Sequence, residues 1–172
     1  MKDINAVYKG KVNNAQGRLF EMRIIAACDY YRQHKRADIH KTPEPFQCVH
    51  KTGRKFTGVF TAKAQPDFCG TLMGGASIVF EAKYTTKDRI EKNVLSQKQV
   101  EVLELSSAMN AFTFVCFGIK DKSFMLPYEL WRDMKANFNK CYLTVSDIQK
   151  YRVCEDLNCT LFLNWKDGGE RV

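Results

Sequence analysis

Residues 66–86 read PDFCGTLMGGASIVFEAKYTT. Gly74-Gly75 lies between two β-favouring runs, and paired glycines in that setting predict a tight turn. After it, Ala76 to Lys83 reads as a strand with Ile78, Val79 and Phe80 at its apolar centre. The stretch is therefore a hairpin with an acid near each end: Asp67, which follows Pro66, and Glu81 on the returning strand. Strand residues two apart share a face, so Glu81 and Lys83 project together and the Ala82 carbonyl lies between them.

Outward from the hairpin, helix and strand signals alternate. NNAQGRLFEMRIIAACDYYRQHKR (13–36) begins on asparagine, an N-cap residue, and carries Leu19, Phe20, Ile24, Cys28 and Tyr31 as a helical stripe. ADIHKTPEP (37–45) suits a short strand running into a turn held extended by Pro43 and Pro45. Residues 46–66 are basic and β-favouring with little apolar continuity, and Gly53 marks a hairpin tip. They predict a ribbon or arm, taken as residues 43–64, projecting from a single domain that spans 1–172.

On the C-terminal side, LSQKQVEVLELSSAMN (95–110) has the spacing of a helix, and AFTFVCFGI (111–119) is a buried central strand. MLPYELWRDMKANF (125–138) starts a helix near Pro127. TVSDIQKY (144–151) opens with a Thr-x-x-Asp capping signal, and Thr160 to Asn164 closes the chain with a short strand. The sum is an α/β domain with a mixed central sheet.

Apolar residues make up 45% and charged residues 27%, which excludes the low-hydrophobicity composition of disordered chains. No apolar run approaches the roughly 20 residues that cross a bilayer. The cysteines number seven, with no CxxC pair and no secretory leader, so they predict reduced thiols in a cytoplasmic protein. Cys154 and Cys159 lack the further ligands that a tetrahedral site requires.

The formal net charge is +8, and its placement is uneven. Residues before Asp67 hold 13 Lys and Arg against 5 Asp and Glu, whereas from Asp67 onward there are 14 of each. A positive field so concentrated favours a polyanion, although a solvated basic face would have the same composition. His34, His40 and His50 all lie in this basic part, away from the acids, and read as surface or nucleic-acid-facing groups rather than general bases. No Ser/His/Asp order and no GxxxxGK loop supports an acyl hydrolase or an NTPase.

Phosphodiester hydrolysis requires the mixture that the hairpin assembles. Acidic oxygens hold Mg²⁺, and a cation offsets charge on the attacking hydroxide and the phosphorane. An isolated ExK occurs on many charged strand edges. Its coupling to Pro66-Asp67 across a Gly-Gly turn is what gives it specificity.

In order along the chain, GRLFE (17–21), YYRQHKRADIHKTPEP (30–45), QPDFCG (65–70), FEAK (80–83) and KQVEVL (98–103) before an apolar strand resemble the RecU family of Holliday-junction resolvases, within the PD-(D/E)xK nucleases. The resemblance runs from about Asn13 to Leu130. It implies a restriction-endonuclease-like fold with a protruding basic stalk. It also implies a homodimeric, Mg²⁺-dependent (or Mn²⁺-dependent) endonuclease, of bacterial or phage origin, that nicks a four-way DNA junction symmetrically.

Carried onto this sequence, the resemblance implies that Asp67, Glu81, the Ala82 carbonyl and Gln99 hold the metal. Lys83 would orient the attacking water, and Glu21 would correspond to the first-helix glutamate of related resolvases. Two departures stand out: Lys98-Gln99 replaces the family's usual His-Gln, and Gln65-Pro66-Asp67-Phe68 replaces Thr-x-Asp-Tyr. DNA contacts are expected from Arg36, Lys41, Lys51, Arg54, Lys55, Lys63 and Lys98. Phe46, Phe56 and Phe60 are interleaved with the arm's cations, as planar groups for unstacked bases or, for Phe60, as a core or dimer contact. Two other readings remain at this stage: an endonuclease of the same type acting on linear or nicked duplex, and a non-catalytic DNA-binding protein of the same fold.

Overall fold

The computed structural model describes residues 4–43, 45–60, 65–156 and 158–165. The chain runs α1 (Ile4–Gln33), β1 (Ala37–Lys41), β2 (Phe46–Thr52), β3 (Lys55–Phe60), β4 (Phe68–Leu72), β5 (Ser77–Thr85), β6 (Arg89–Glu91), α2 (Gln97–Ala108) and β7 (Phe112–Ile119). It continues through β8 (Lys122–Pro127), α3 (Tyr128–Arg132), α4 (Met134–Phe138), β9 (Tyr142–Thr144), β10 (Val153–Glu155) and β11 (Thr160–Trp165). The central sheet has the order β1-β4-β5-β7-β8. Among the described strands only β5 and β7 run parallel, and α2 supplies the crossover that a parallel pair needs.

Alternation along the strands divides the interior into two cores. Phe114 and Cys116 of β7, with Ile78, Phe80 and Ala82 of β5, face α1, whose Phe20, Ile24, Ala27, Cys28 and Tyr31 form its buried stripe. Val115, Phe117 and Ile119 face the opposite way, onto Leu103 of α2 and Tyr128, Trp131 and Met134 of α3 and α4. Each fully buried large apolar side chain contributes roughly 1.5–3 kcal/mol, so β7, which pairs with the strand that carries Glu81, is anchored from both sides. Gly70 marks a close approach: a Cβ there would meet the Asp38 carbonyl oxygen of β1 at 2.1 Å.

The expected mixed sheet between helices is present, as is the hairpin of β4 and β5, with Gly74 and Gly75 at φ +97° and +92°. The arm is a two-stranded ribbon of β2 and β3 that turns at Gly53, and its strands pair with each other and not with the central sheet. Its register shifts between Cys48 and His50, which sets Lys51 opposite Phe56 near the tip.

Two expectations need correction, and two others gain detail. The first helix does not start at Asn13 but runs through it from Ile4, and it ends at Gln33, short of Arg36. Met125 to Pro127 belong to β8, because β7 is buried on both faces and its second edge requires a partner strand; the helical turn begins at Tyr128. The Thr144–Asp147 capping box forms and opens a 3-10 turn at Val145–Asp147, with a second at Gln149–Tyr151. The terminal strand at Thr160 pairs with an unexpected one, β10, and the two pack over α1, where Tyr31 Oη accepts the Leu163 N–H at 2.9 Å. Among the described residues, no helix is long and apolar enough to cross a membrane.

Candidate active site

Pairing between β4 and β5 stops at Phe68–Phe80, so beyond Phe80 one edge of β5 is no longer filled by β4. Asp67 occupies that gap. Its own carbonyl accepts the Thr42 N–H at 2.9 Å, which fixes the chain at the end of β1, and its Oδ2 accepts the Ala82 N–H at 2.9 Å. The N–H and C=O of a strand residue leave on the same edge, so the Ala82 carbonyl opens into the same gap.

Glu81 and Lys83 project toward the α2 side of the sheet, as the period of two requires. Lys83 Nζ lies 3.4 Å from Asp67 Oδ2 and 3.3 Å from Glu81 Oε2, one ammonium shared between two carboxylates. The first turn of α2 covers this spot, and Gln99 donates through Nε2 to Glu81 Oε2. Glu81 is fully buried, and its second oxygen, Oε1, has no hydrogen-bond partner among the described residues. Burial pushes the Glu81 carboxyl up to about 8, the neighbouring Asp67 carboxyl adds to the rise, and Lys83 opposes it.

A buried carboxylate oxygen without a partner is costly, and either a proton, as the raised pKa shows, or a bound cation offsets that cost. Two acidic side chains with a backbone carbonyl form a hard oxygen donor set of the kind that holds Mg²⁺ through one or two carboxylates, leaving its remaining positions to water and substrate phosphate. The described residues contain no group of three or more His, Cys, Asp and Glu, so the donor set stops at this carboxylate pair. The residues present fit a divalent cation.

Of the residues singled out in the sequence, Asp67, Glu81, Ala82, Lys83 and Gln99 come together. Gln99 arrives differently from expectation. Its Oε1 already accepts the Ser96 N–H at 3.0 Å and the Ser96 hydroxyl at 3.2 Å, so it meets the site as a donor to Glu81 and not as an oxygen ligand. Glu21 forms an ion pair with Lys41. Arg36 is half-buried: it donates to Asn164 Oδ1 at 2.9 Å and lies over the Tyr31 ring, tying β11 to α1. Lys51, Arg54 and Lys55 are exposed on the ribbon, Lys98 is exposed at the start of α2, and Lys63 lies outside the described residues. Sequence reasoning missed Ser96, although its Ser-x-x-Gln spacing is a capping-box signal.

A carboxylate pair and a lysine where a β-hairpin crosses a mixed sheet flanked by helices define a protein of the PD-(D/E)xK class. Within that class the chain belongs to the RecU family, matching "RecU: Recombination protein U" over residues 15–167. It is 30% identical over 120 residues to a Holliday junction resolvase RecU of Streptococcus oralis, covering 65% of this chain and 61% of that protein. A protein of the same name from Streptococcus pneumoniae (strain Taiwan19F-14) is 30% identical over 145 residues, covering 79% and 73%. The match thus spans less than two thirds of the S. oralis protein. Among solved structures, Hjc, a Holliday junction resolvase from Archaeoglobus fulgidus, aligns over 59% of this chain and 75% of its own, at 17% identity and a TM-score of 0.36.

Proposed function

We propose that this chain is a metal-dependent endonuclease that resolves four-way DNA junctions by paired, symmetric nicks. The observation that carries the catalytic part is the buried Glu81 carboxylate, one oxygen without a partner, beside Asp67 and Lys83. The relatives' names supply the substrate.

In this reading Asp67, Glu81 and the Ala82 carbonyl would hold Mg²⁺ or Mn²⁺. When bound, such an ion would polarise the scissile phosphate and lower the pKa of a coordinated water. Lys83 orients the attacking water and offsets charge growing on the phosphate. The buried wall behind Glu81 keeps bulk water from screening these interactions. The exposed cations Lys51, Arg54 and Lys55 contact junction phosphates, and the ribbon reads branch shape rather than sequence. Two symmetric nicks require two sites in fixed relation, which a two-fold homodimer supplies. The exposed apolar residues Leu19, Met22 and Ile25 of α1 are its candidate contact. The enzyme works in bacterial or phage-infected cytoplasm, where the cysteines stay reduced, as they stand among the described residues.

Asp67→Asn tests the site directly, because it removes a metal-directed charge without changing side-chain size. Junction cleavage should be abolished and junction binding retained. Near wild-type cutting by this variant, or full activity of the wild type in EDTA, contradicts the metal mechanism.

A further inference from the structure

We propose that Ser96 is a positioning residue of the site, acting through the Gln99 carboxamide to hold the Glu81 carboxylate ready for a divalent cation. The inference rests on the metal-dependent reading above.

Ser96 is the N-cap of α2, and its hydroxyl accepts the Gln99 N–H at 3.4 Å. A serine oxygen can accept there and still donate its single proton elsewhere, and that proton goes to Gln99 Oε1. With the Ser96 N–H also directed at Oε1, two donors converge on one amide oxygen. The carboxamide therefore has one workable orientation. Turning it over would set its NH₂ against the Ser96 N–H and its oxygen against the Glu81 carboxylate, losing the backbone bond at one end and the carboxylate bond at the other. The cap thereby aims Nε2 at Glu81 Oε2 and leaves the buried Oε1 of Glu81 as the oxygen still to be satisfied.

The choice of residue at this position supports the assignment. The third position of a capping box needs only an acceptor, which Glu supplies as well as Gln, and a negative charge in the first turn favours the helix dipole. Helix stability alone would therefore accept glutamate. Donation to a buried carboxylate is the task that only the carboxamide can perform. Lys83 Nζ reaches the same Glu81 oxygen at 3.3 Å, but it is shared with Asp67.

Substitutions at Ser96 separate capping from positioning. Ser96→Gly removes the hydroxyl while keeping an acceptable N-cap, and Ser96→Thr keeps the hydroxyl. The readout is Mn²⁺ affinity of the protein alone, from the electron paramagnetic resonance signal of free Mn²⁺, with folding checked by thermal melting. Removing hydrogen-bond partners of metal ligands costs about ten- to a hundredfold in affinity, so Gln99→Ala should lose that much and Ser96→Gly about tenfold. Ser96→Thr should bind within about twofold of wild type, and Ser96→Gly should add almost nothing in the Gln99→Ala background, because the two act as one unit. Wild-type Mn²⁺ affinity in a folded Ser96→Gly variant, or additive losses in the double variant, would reduce Ser96 to a helix cap and overturn the proposal. Failure of the wild type itself to bind Mn²⁺ would overturn the metal-dependent reading as well, so the two failures are told apart by the wild-type titration.

Discussion

Lowering the pH from 8 to 6 should weaken divalent-cation binding by about fifty-fold, because below the Glu81 pKa a cation must displace a proton, at a cost approaching tenfold per pH unit. The magnitude follows from the carboxyl held up to about 8, first by burial and then by Asp67. The sign extends to stability. Folded Glu81 keeps its proton to higher pH than the unfolded chain does. The contribution of that proton is therefore complete below the ordinary glutamate range. It is lost as pH rises toward 8, at no more than about 1.4 kcal/mol per unit, in metal-free protein. Saturating Mg²⁺ should remove this loss. Isothermal titration with Mn²⁺ in two buffers of different ionisation enthalpy would count the protons, with nearly one released at pH 6 and about half of one at pH 8. Asp67→Asn should move the profile to lower pH without abolishing the elevation, since burial remains. Flat affinity between pH 6 and 8, with no proton release, would refute the view that a buried, protonated Glu81 lies at the metal site.

Two further outcomes are expected. Gly70→Ala should destabilise the fold by roughly 2 kcal/mol or more, seen as a melting temperature lowered by several degrees, because the added Cβ would meet the Asp38 carbonyl and force β1 from β4. Replacing Lys51, Arg54 and Lys55 together with alanine should weaken junction binding strongly and reduce its salt slope by up to about three phosphate contacts, with less effect on linear duplex; a salt titration on both substrates checks it.

The hairpin was legible because its signals are local: a Gly-Gly turn and period-two alternation place Asp67, Glu81 and Lys83 without knowledge of the rest of the chain. Burial of Glu81 was not legible, since it depends on α2 lying across β5 from outside the hairpin. β8 was hidden for a similar reason. Met125-Leu126-Pro127 resembles a helix start, and only the need of β7 for a second neighbour makes it a strand. Asn13 and Asn14 looked like a helix boundary because asparagine favours caps, yet it is tolerated inside a long helix at modest cost. Arg36 read as part of a basic cluster until the fold brought Asn164, distant in sequence, to its guanidinium. The Ser96-x-x-Gln99 capping signal stood in the sequence but went unread, and its second role required the position of Glu81.

The most direct measurement is cleavage of a strand-labelled synthetic four-way junction beside a matched linear duplex, with Mg²⁺ and with EDTA. Paired nicks at symmetric positions on two opposing strands, only with Mg²⁺ and with the duplex left intact, are the predicted result. Equal cutting of the linear duplex, or an intact junction at every Mg²⁺ concentration, would contradict it.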